Sequence, residues 1–285
     1  IIRNVARGGY DDSLRTLNLR AKLHWTPRSL PGLDVKASYN RVRRDGGYLY
    51  EYTNLTTPDF YGHRRSTSDQ PNRGYIRSDI AVLNVGYEIA PRLRLSSVTS
   101  FNRAATLAQT DADGTAADVQ FISNDSRYRT WTQELRLNYD GERLSGVLGA
   151  WAYRRSGGLD ANNRLNIATP VTTIVGLLQR GGFPAAAARQ IATAYATALP
   201  QIPVRYSADQ PLLVKNAALF GDGRLRVTDR LSLLAGFRYD HEDNRYGAET
   251  IATFNGTLPS PAAFGAAGTP LNLAVNAINR GVLGL

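Results

Sequence analysis

Between Tyr48 and Arg65 the chain places Tyr48, Tyr50, Tyr52 and Tyr61 close to His63, Arg64 and Arg65. Phenol rings offer stacking faces, and guanidinium groups bring fixed positive charge that pairs with anions and lies over aromatic rings. That combination suits a small molecule bearing aromatic and anionic groups. The competing reading is a solvated surface loop whose rings only pack the loop itself. Other segments offer less. Asp111, Asp113 and Gly114 match part of a calcium loop, but the later glutamate is missing. Gly221-Asp222-Gly223 falls inside an alternating stretch and is no phosphate loop. Asp240 and His241 are adjacent, so on a strand they point to opposite faces and make a poor dyad. His24, His63 and His241 are scattered and there is no cysteine, so no metal site, disulfide, cofactor or catalytic group is expected.

These residues must be positioned by strands. Stretches of about ten residues in which every second side chain is apolar recur eight times. The clearest is Leu17-Asn18-Leu19-Arg20-Ala21-Lys22-Leu23-His24-Trp25, within a strand from Leu14 to Trp25. A Pro/Gly turn at 27–32 leads to Leu33, Val35, Ala37 and Tyr39, alternating with Asp34, Lys36, Ser38 and Asn40. The third and fourth strands carry Ala81 to Ile89 and Leu93 to Phe101, and the fifth carries Trp131 to Tyr139 with only Gln133 out of place. The sixth, Leu144 to Arg154, alternates less cleanly; the seventh and eighth place Leu219 to Val227 and Leu231 to Tyr239 outward. The opposite positions hold Arg20, Lys22, Lys36, Arg94, Glu134, Arg136, Arg224 and Arg238, a wet surface expected to form ion pairs. Loops are expected at 43–79, 103–129 and 155–213, and over the last forty-odd residues. Within the third loop, Pro184 to Leu199 reads as a helix, with Pro184 at its first position and Pro200 stopping it. Ile191 and Tyr195 lie four apart and should pack that helix down.

A strand with one greasy and one wet face fits a soluble sandwich as well as a membrane barrel. Two features favour the barrel. Short turns alternate strictly with loops of roughly 25 to 60 residues, as in outer-membrane barrels. With the short turns in the periplasm, Tyr39, Phe101, Trp131, Tyr153, Phe237 and Tyr239 fall at the outer strand ends, and Trp25, Tyr87 and Tyr139 at the inner ends. Two aromatic belts are what the two membrane interfaces select. No run approaches the roughly 18 apolar residues of a membrane helix, which excludes helical membrane proteins but not a barrel. The net charge of +10 is spread singly along strands, so nucleic-acid binding is not expected. With no methionine among its 285 residues and neither end finishing an element, the chain reads as an internal fragment of a larger barrel.

The stretch Phe220-Gly221-Asp222-Gly223-Arg224-Leu225-Arg226-Val227-Thr228-Asp229-Arg230-Leu231, continuing through Ala235-Gly236-Phe237-Arg238-Tyr239, resembles a hairpin of TonB-dependent outer-membrane receptors. Thr132-Gln133-Glu134-Leu135-Arg136-Leu137, Ser97-Val98-Thr99-Ser100-Phe101 and Ala21-Lys22-Leu23-His24-Trp25-Thr26-Pro27 are similar to further strands of that family, in the same order. The resemblance implies an all-β transmembrane antiparallel barrel of 22 strands with long extracellular loops. Residues 1–285 would be a partial barrel domain of about eight strands, without the plug domain and the other strands. It also implies the outer membrane of a Gram-negative bacterium, lipid around the barrel, and energy from the TonB complex acting through the plug. The cargo would be a scarce small molecule such as a ferric siderophore, with cobalamin and saccharides open. A passive porin and, less favoured, an outer-membrane barrel enzyme are the alternatives.

Overall fold

The computed structural model describes residues 2–11, 13–47, 62 and 64–284. Eight long strands dominate: β2 (Leu14–Trp25), β3 (Leu33–Gly46), β5 (Arg73–Ala90), β6 (Leu93–Asp111), β7 (Gln120–Asp140), β8 (Leu144–Ala168), β9 (Gln201–Arg226) and β10 (Ser232–Tyr246). They lie side by side in chain order, every neighbouring pair antiparallel, and the sheet is open, with β2 and β10 at its ends. A short β11 (Glu249–Phe254) continues along β9 beyond β10. Two further short strands, β1 (Arg3–Asn4) and β4 (Arg65–Ser66), pair in parallel apart from the sheet.

The pairing register makes the two faces explicit. Leu23, Ala37, Leu83 and Thr99 share one row, as do Leu95, Leu137, Leu148 and Gly221. On this apolar face large side chains stay open: Leu135 is 45% exposed and Leu219 58%. A contiguous apolar surface of this extent marks a face that meets lipid or a partner rather than water. Tyr39, Ala81, Phe101 and Trp131 form one row at its upper end. Along β7 the eight steps from Trp131 to Tyr139 span roughly 26 Å, close to the height of a membrane-facing apolar band once the strand is tilted. A small polar cluster interrupts the band. The Gln133 amide donates to Ser97 Oγ at 2.8 Å and accepts from Thr99 Oγ1 at 2.6 Å, so the residue out of pattern in β7 is hydrogen-bonded across to β6.

Several sequence-based boundaries require correction. The loop expected at 103–129 shrinks to the link 112–119, because β6 and β7 pair as far as Asp111 and Phe121. Most of the stretch 155–213 is strand or helix: β8 runs to Ala168 and β9 starts at Gln201. The final stretch is not a plain loop either, since β10 reaches Tyr246 and is followed by β11 and a helix. Crossing a bilayer takes only about 9–11 residues of tilted strand. Beyond the apolar rows the alternation disappears, and backbone pairing alone continues the ribbon. The facing of Tyr153 is also reversed. It pairs with Thr132 and Asn216 on the polar face, so it does not belong to the outer aromatic row.

The hydrophobic core sits in a helical cap above the β8–β9 hairpin. It is built from α1 (Val171–Arg180), α2 (Ala185–Ala198) and α3 (Pro270–Leu283). Helical spacing selects the inward residues: Ile174 and Leu178 from α1; Ala188, Ile191, Ala192 and Tyr195 from α2; Ala274, Val275, Ile278 and Val282 from α3. The expected α2 is present, one residue shorter at each end, and Ile191 and Tyr195 do pack it down. Tyr195 is wholly buried and donates to Asn279 Oδ1 at 2.8 Å, tying α2 to α3. Thr269 caps α3, with Pro270 at the first turn.

Candidate functional site

The polar face is the first candidate surface. Register places Arg20, Lys22, Lys36, Arg94, Glu134, Arg136, Arg224 and Arg238 all on this face, opposite the apolar rows. Four of the seven cations have a carboxylate partner on the same face: Lys36 with Asp34 at 3.3 Å, Arg94 with Glu88 at 3.8 Å, Arg136 with Glu134, and Arg238 with Asp240 through two contacts of 2.7 and 2.8 Å. Among the described residues, Arg20 and Lys22 make no ion pair. Exposed pairs of this kind add little stability, up to about 1 kcal/mol each. Their effect is to hold charge in place on the wall.

Aromatic rings join the charges where β7, β8, β9 and β10 meet. Trp151 and Tyr153 stack with centroids 5.5 Å apart and ring planes at 16°. The Arg238 guanidinium lies 5.8 Å from the Trp151 ring centre and 5.7 Å from that of Phe220, and Arg136 lies 5.9 Å from Phe220. Stacked rings beside clamped guanidinium groups can hold a flat, anionic molecule by its faces and its charge. The alternating signal missed this group, because Trp151, Tyr153 and Phe220 occupy positions where alternation expects polar residues. A ring at such a position is the clue that could have found it.

The second candidate is the loop between β3 and β5. Tyr48, Tyr50, Tyr52, Tyr61 and His63 lie outside the described residues. Arg64 and Arg65 are exposed, and both are engaged with neighbours. Arg65 begins β4, which pairs with β1 and so anchors the base of the loop. Under that base lies a buried polar network. Asn4 donates to Asp11 Oδ2 at 2.6 Å and to the Ser68 carbonyl at 2.9 Å. Asn72 donates to Ser68 Oγ at 2.8 Å, and Ser68 Oγ donates to Asp111 Oδ2 at 2.7 Å. Asp111 also accepts from the backbone N–H groups of Asp69 at 3.0 Å and Gly114 at 3.3 Å. Burial pushes the Asp111 carboxyl above its usual range, against the opposing pull of the Ser68 hydroxyl.

Asp111 and Asp113 therefore act as turn acceptors. Asp113 receives the N–H groups of Thr115 at 3.0 Å and Gln120 at 2.8 Å. No group of three metal-ligating side chains occurs among the described residues. Asp111→Ala would strip acceptors from Ser68, Asp69 and Gly114 at once. Each buried donor left without a partner costs about 1–3 kcal/mol. The expected result is local opening, with faster amide hydrogen exchange at Asp69 and Gly114 and unchanged exchange in β7 below Trp131. Unchanged exchange at both amides would contradict the network.

The apolar hollow of about 970 Å³ between α1 and α3 is lined by residues such as Ile174, Leu177, Phe183, Leu273 and Ile278, with no charged side chain, so it offers no anion site.

Comparison with known proteins places this geometry. A family model described as "TonB dependent receptor-like, beta-barrel" matches residues 9–265. The ferric yersiniabactin uptake receptor of Yersinia pestis aligns over 88% of this chain and 36% of its own, at 14% sequence identity and a TM-score of 0.58. A siderophore receptor of Acinetobacter baumannii aligns over 86% of this chain and 40% of its own, at 10% identity and a TM-score of 0.38. The chain thus spans two fifths or less of either solved structure. No curated protein sequence matches it.

Proposed function

Since this chain belongs to the TonB-dependent receptor β-barrel family, we propose that the protein containing it takes up a small anionic chelate across the outer membrane of a Gram-negative bacterium. Residues 1–285 form part of its barrel domain. The observation that carries the reading is the two-faced sheet: one face open and apolar, the other a wall of clamped charges with Trp151, Tyr153 and Phe220 set among them. The apolar face meets lipid and the polar face the lumen. Ligand capture falls to the loop from Tyr48 to Arg65, and the polar wall contacts either the passing ligand or the plug. The family relation and the named cargo of the fold neighbour favour a ferric chelate over cobalamin or a saccharide. Transport needs no catalytic residue; it needs a selective rim and a plug moved by the TonB complex.

The test is growth of a strain carrying the full-length protein on single ferric chelates as iron source, with and without a working TonB complex. Growth on at least one chelate that is lost without TonB supports energised uptake. Growth that persists without TonB would make the protein a passive porin, the second reading. Replacing Tyr50, Tyr61, Arg64 and Arg65 together by alanine should weaken uptake of the native ligand while leaving heat-modifiable mobility unchanged, because the segment lies above the membrane. Unchanged growth on every ligand taken up by the wild type would reduce the loop to solvated covering.

A further inference from the structure

The apolar face changes character abruptly at its upper end. In the row directly above Tyr39, Ala81, Phe101 and Trp131, the outward positions are Arg41, Asp79, Arg103 and Arg129. The next row carries Arg43, Arg77, Ala105 and Arg127. Six arginines therefore stand over one aromatic row, on the same side of the sheet as the lipid-facing leucines. They line a cavity of about 740 Å³ in which Asp79 is the one carboxylate.

The acids around this cavity neutralise only part of it. Asp79 accepts from Arg41 Nε at 2.6 Å and from the Tyr39 hydroxyl at 2.5 Å. Asp125 pairs with Arg127 at 2.6 Å, and Asp45 lies 3.9 Å from Arg77. Among the described residues, Arg43, Arg103 and Arg129 form no ion pair. The pairing is also unfavourable in itself, since Arg103 sits directly opposite Arg129, and Arg43 directly opposite Arg77. Like charges facing each other across a strand pair are destabilising unless an anion lies between them. These three guanidinium groups outside any ion pair, on β3, β6 and β7, line one cavity and carry the forked donors that phosphate oxygens accept.

We propose that this outward arginine cluster binds the phosphate of a phosphorylated lipid headgroup in the outer leaflet. The inference rests on the membrane reading given above, which puts the aromatic row at headgroup level. Just above that row, on the outside of a barrel, the anion within reach is the headgroup of a neighbouring lipid, whose chains would lie along the apolar band below. The lumen and its ligand are on the other side of the sheet.

The experiment uses the full-length receptor incorporated into vesicles of phosphatidylcholine containing a minor fraction of phosphatidic acid, then extracted gently and examined by native mass spectrometry for retained lipid. Wild type should retain phosphatidic acid in preference to phosphatidylcholine. The double variant Arg103→Gln/Arg129→Gln should reduce that preference about thirtyfold, the loss expected for two cations next to a charged membrane surface. Arg103→Lys/Arg129→Lys should keep most of it, and Arg20→Gln/Lys22→Gln, on the opposite face, should not change it. Removing like charges does not threaten folding, and heat-modifiable mobility checks that the barrel is intact. No preference in the wild type, or full preference in the glutamine variant, overturns the site. Displacement of the lipid by millimolar inorganic phosphate alone would show a general anion site and overturn the lipid assignment. A spin label at Leu135 serves as the separate check: lipid contact there with no headgroup preference refutes only this inference, whereas water at Leu135 refutes the membrane reading beneath it.

Discussion

Arginine in place of Leu135 is expected to cost the assembled barrel roughly 2–4 kcal/mol, the penalty for a cation on the lipid face near the bilayer midplane. Leu135 stands midway along β7 between Trp131 and Tyr139, on the apolar face, opposite Ser97 of β6 and Ala150 of β8. A guanidinium there has no carboxylate on its own face at that height, and it must reach several residues along the strand to find headgroups. Denaturant unfolding of the full-length protein in lipid, followed by loss of heat-modifiable mobility, measures the cost. Thr132→Arg, three positions away on the polar face, should cost a small fraction of it. Equal losses at the two positions would mean that the faces are not solvated differently.

The second large effect belongs to the cap. Tyr195→Ala removes a wholly buried ring from the junction of α1, α2 and α3, and leaves Asn279 Oδ1 without its donor. Truncating a large aromatic in a packed core costs about 3–5 kcal/mol. Tyr195 is the largest fully buried side chain described, and the cap should not survive that loss. Limited proteolysis should then cut within 171–199 and 270–283 while the strands below stay protected. Tyr195→Phe, which keeps the ring, should leave the cap folded and lose only the hydrogen bond. If Tyr195→Ala resisted protease as well as the wild type, the cap would draw its stability from elsewhere.

The strands inside the membrane band were legible because a two-solvent boundary writes itself into alternate residues. Leu17, Leu19 and Leu23 against Arg20 and Lys22 need no further information. Above the band that boundary ends. Ser156-Gly157-Gly158-Leu159-Asp160 has no period of two, yet it remains paired with β7 and β9 through backbone hydrogen bonds that any sequence can make. The helix α2 was legible from its alanines and flanking prolines. The helices α1 and α3 were not, because their buried residues matter only once Tyr195 and Ile191 supply the opposing surface. On the polar face the charged positions followed from alternation. The Trp151, Tyr153 and Phe220 cluster did not, since it gathers residues from separate strands that only the register brings together.

Alternation dictates which side chains turn toward lipid, but it does not distinguish one offset between β6 and β7 from another displaced by two residues, which keeps every leucine outward. The amide of Gln133, bound to both Ser97 and Thr99, favours one of these offsets. Slipped two residues one way, Gln133 would face Phe101, and Ser97 and Thr99 would face leucines. Slipped the other way, Gln133 would keep Ser97 opposite it, but Thr99 would face Trp131 and lose its amide partner. In hydrocarbon each stranded donor or acceptor costs several kcal/mol, with no water to replace the partner. An apparent flaw in the greasy stripe thus works as an alignment key: of the three offsets, one alone joins all three polar groups, and the other two leave at least one of them facing an apolar side chain.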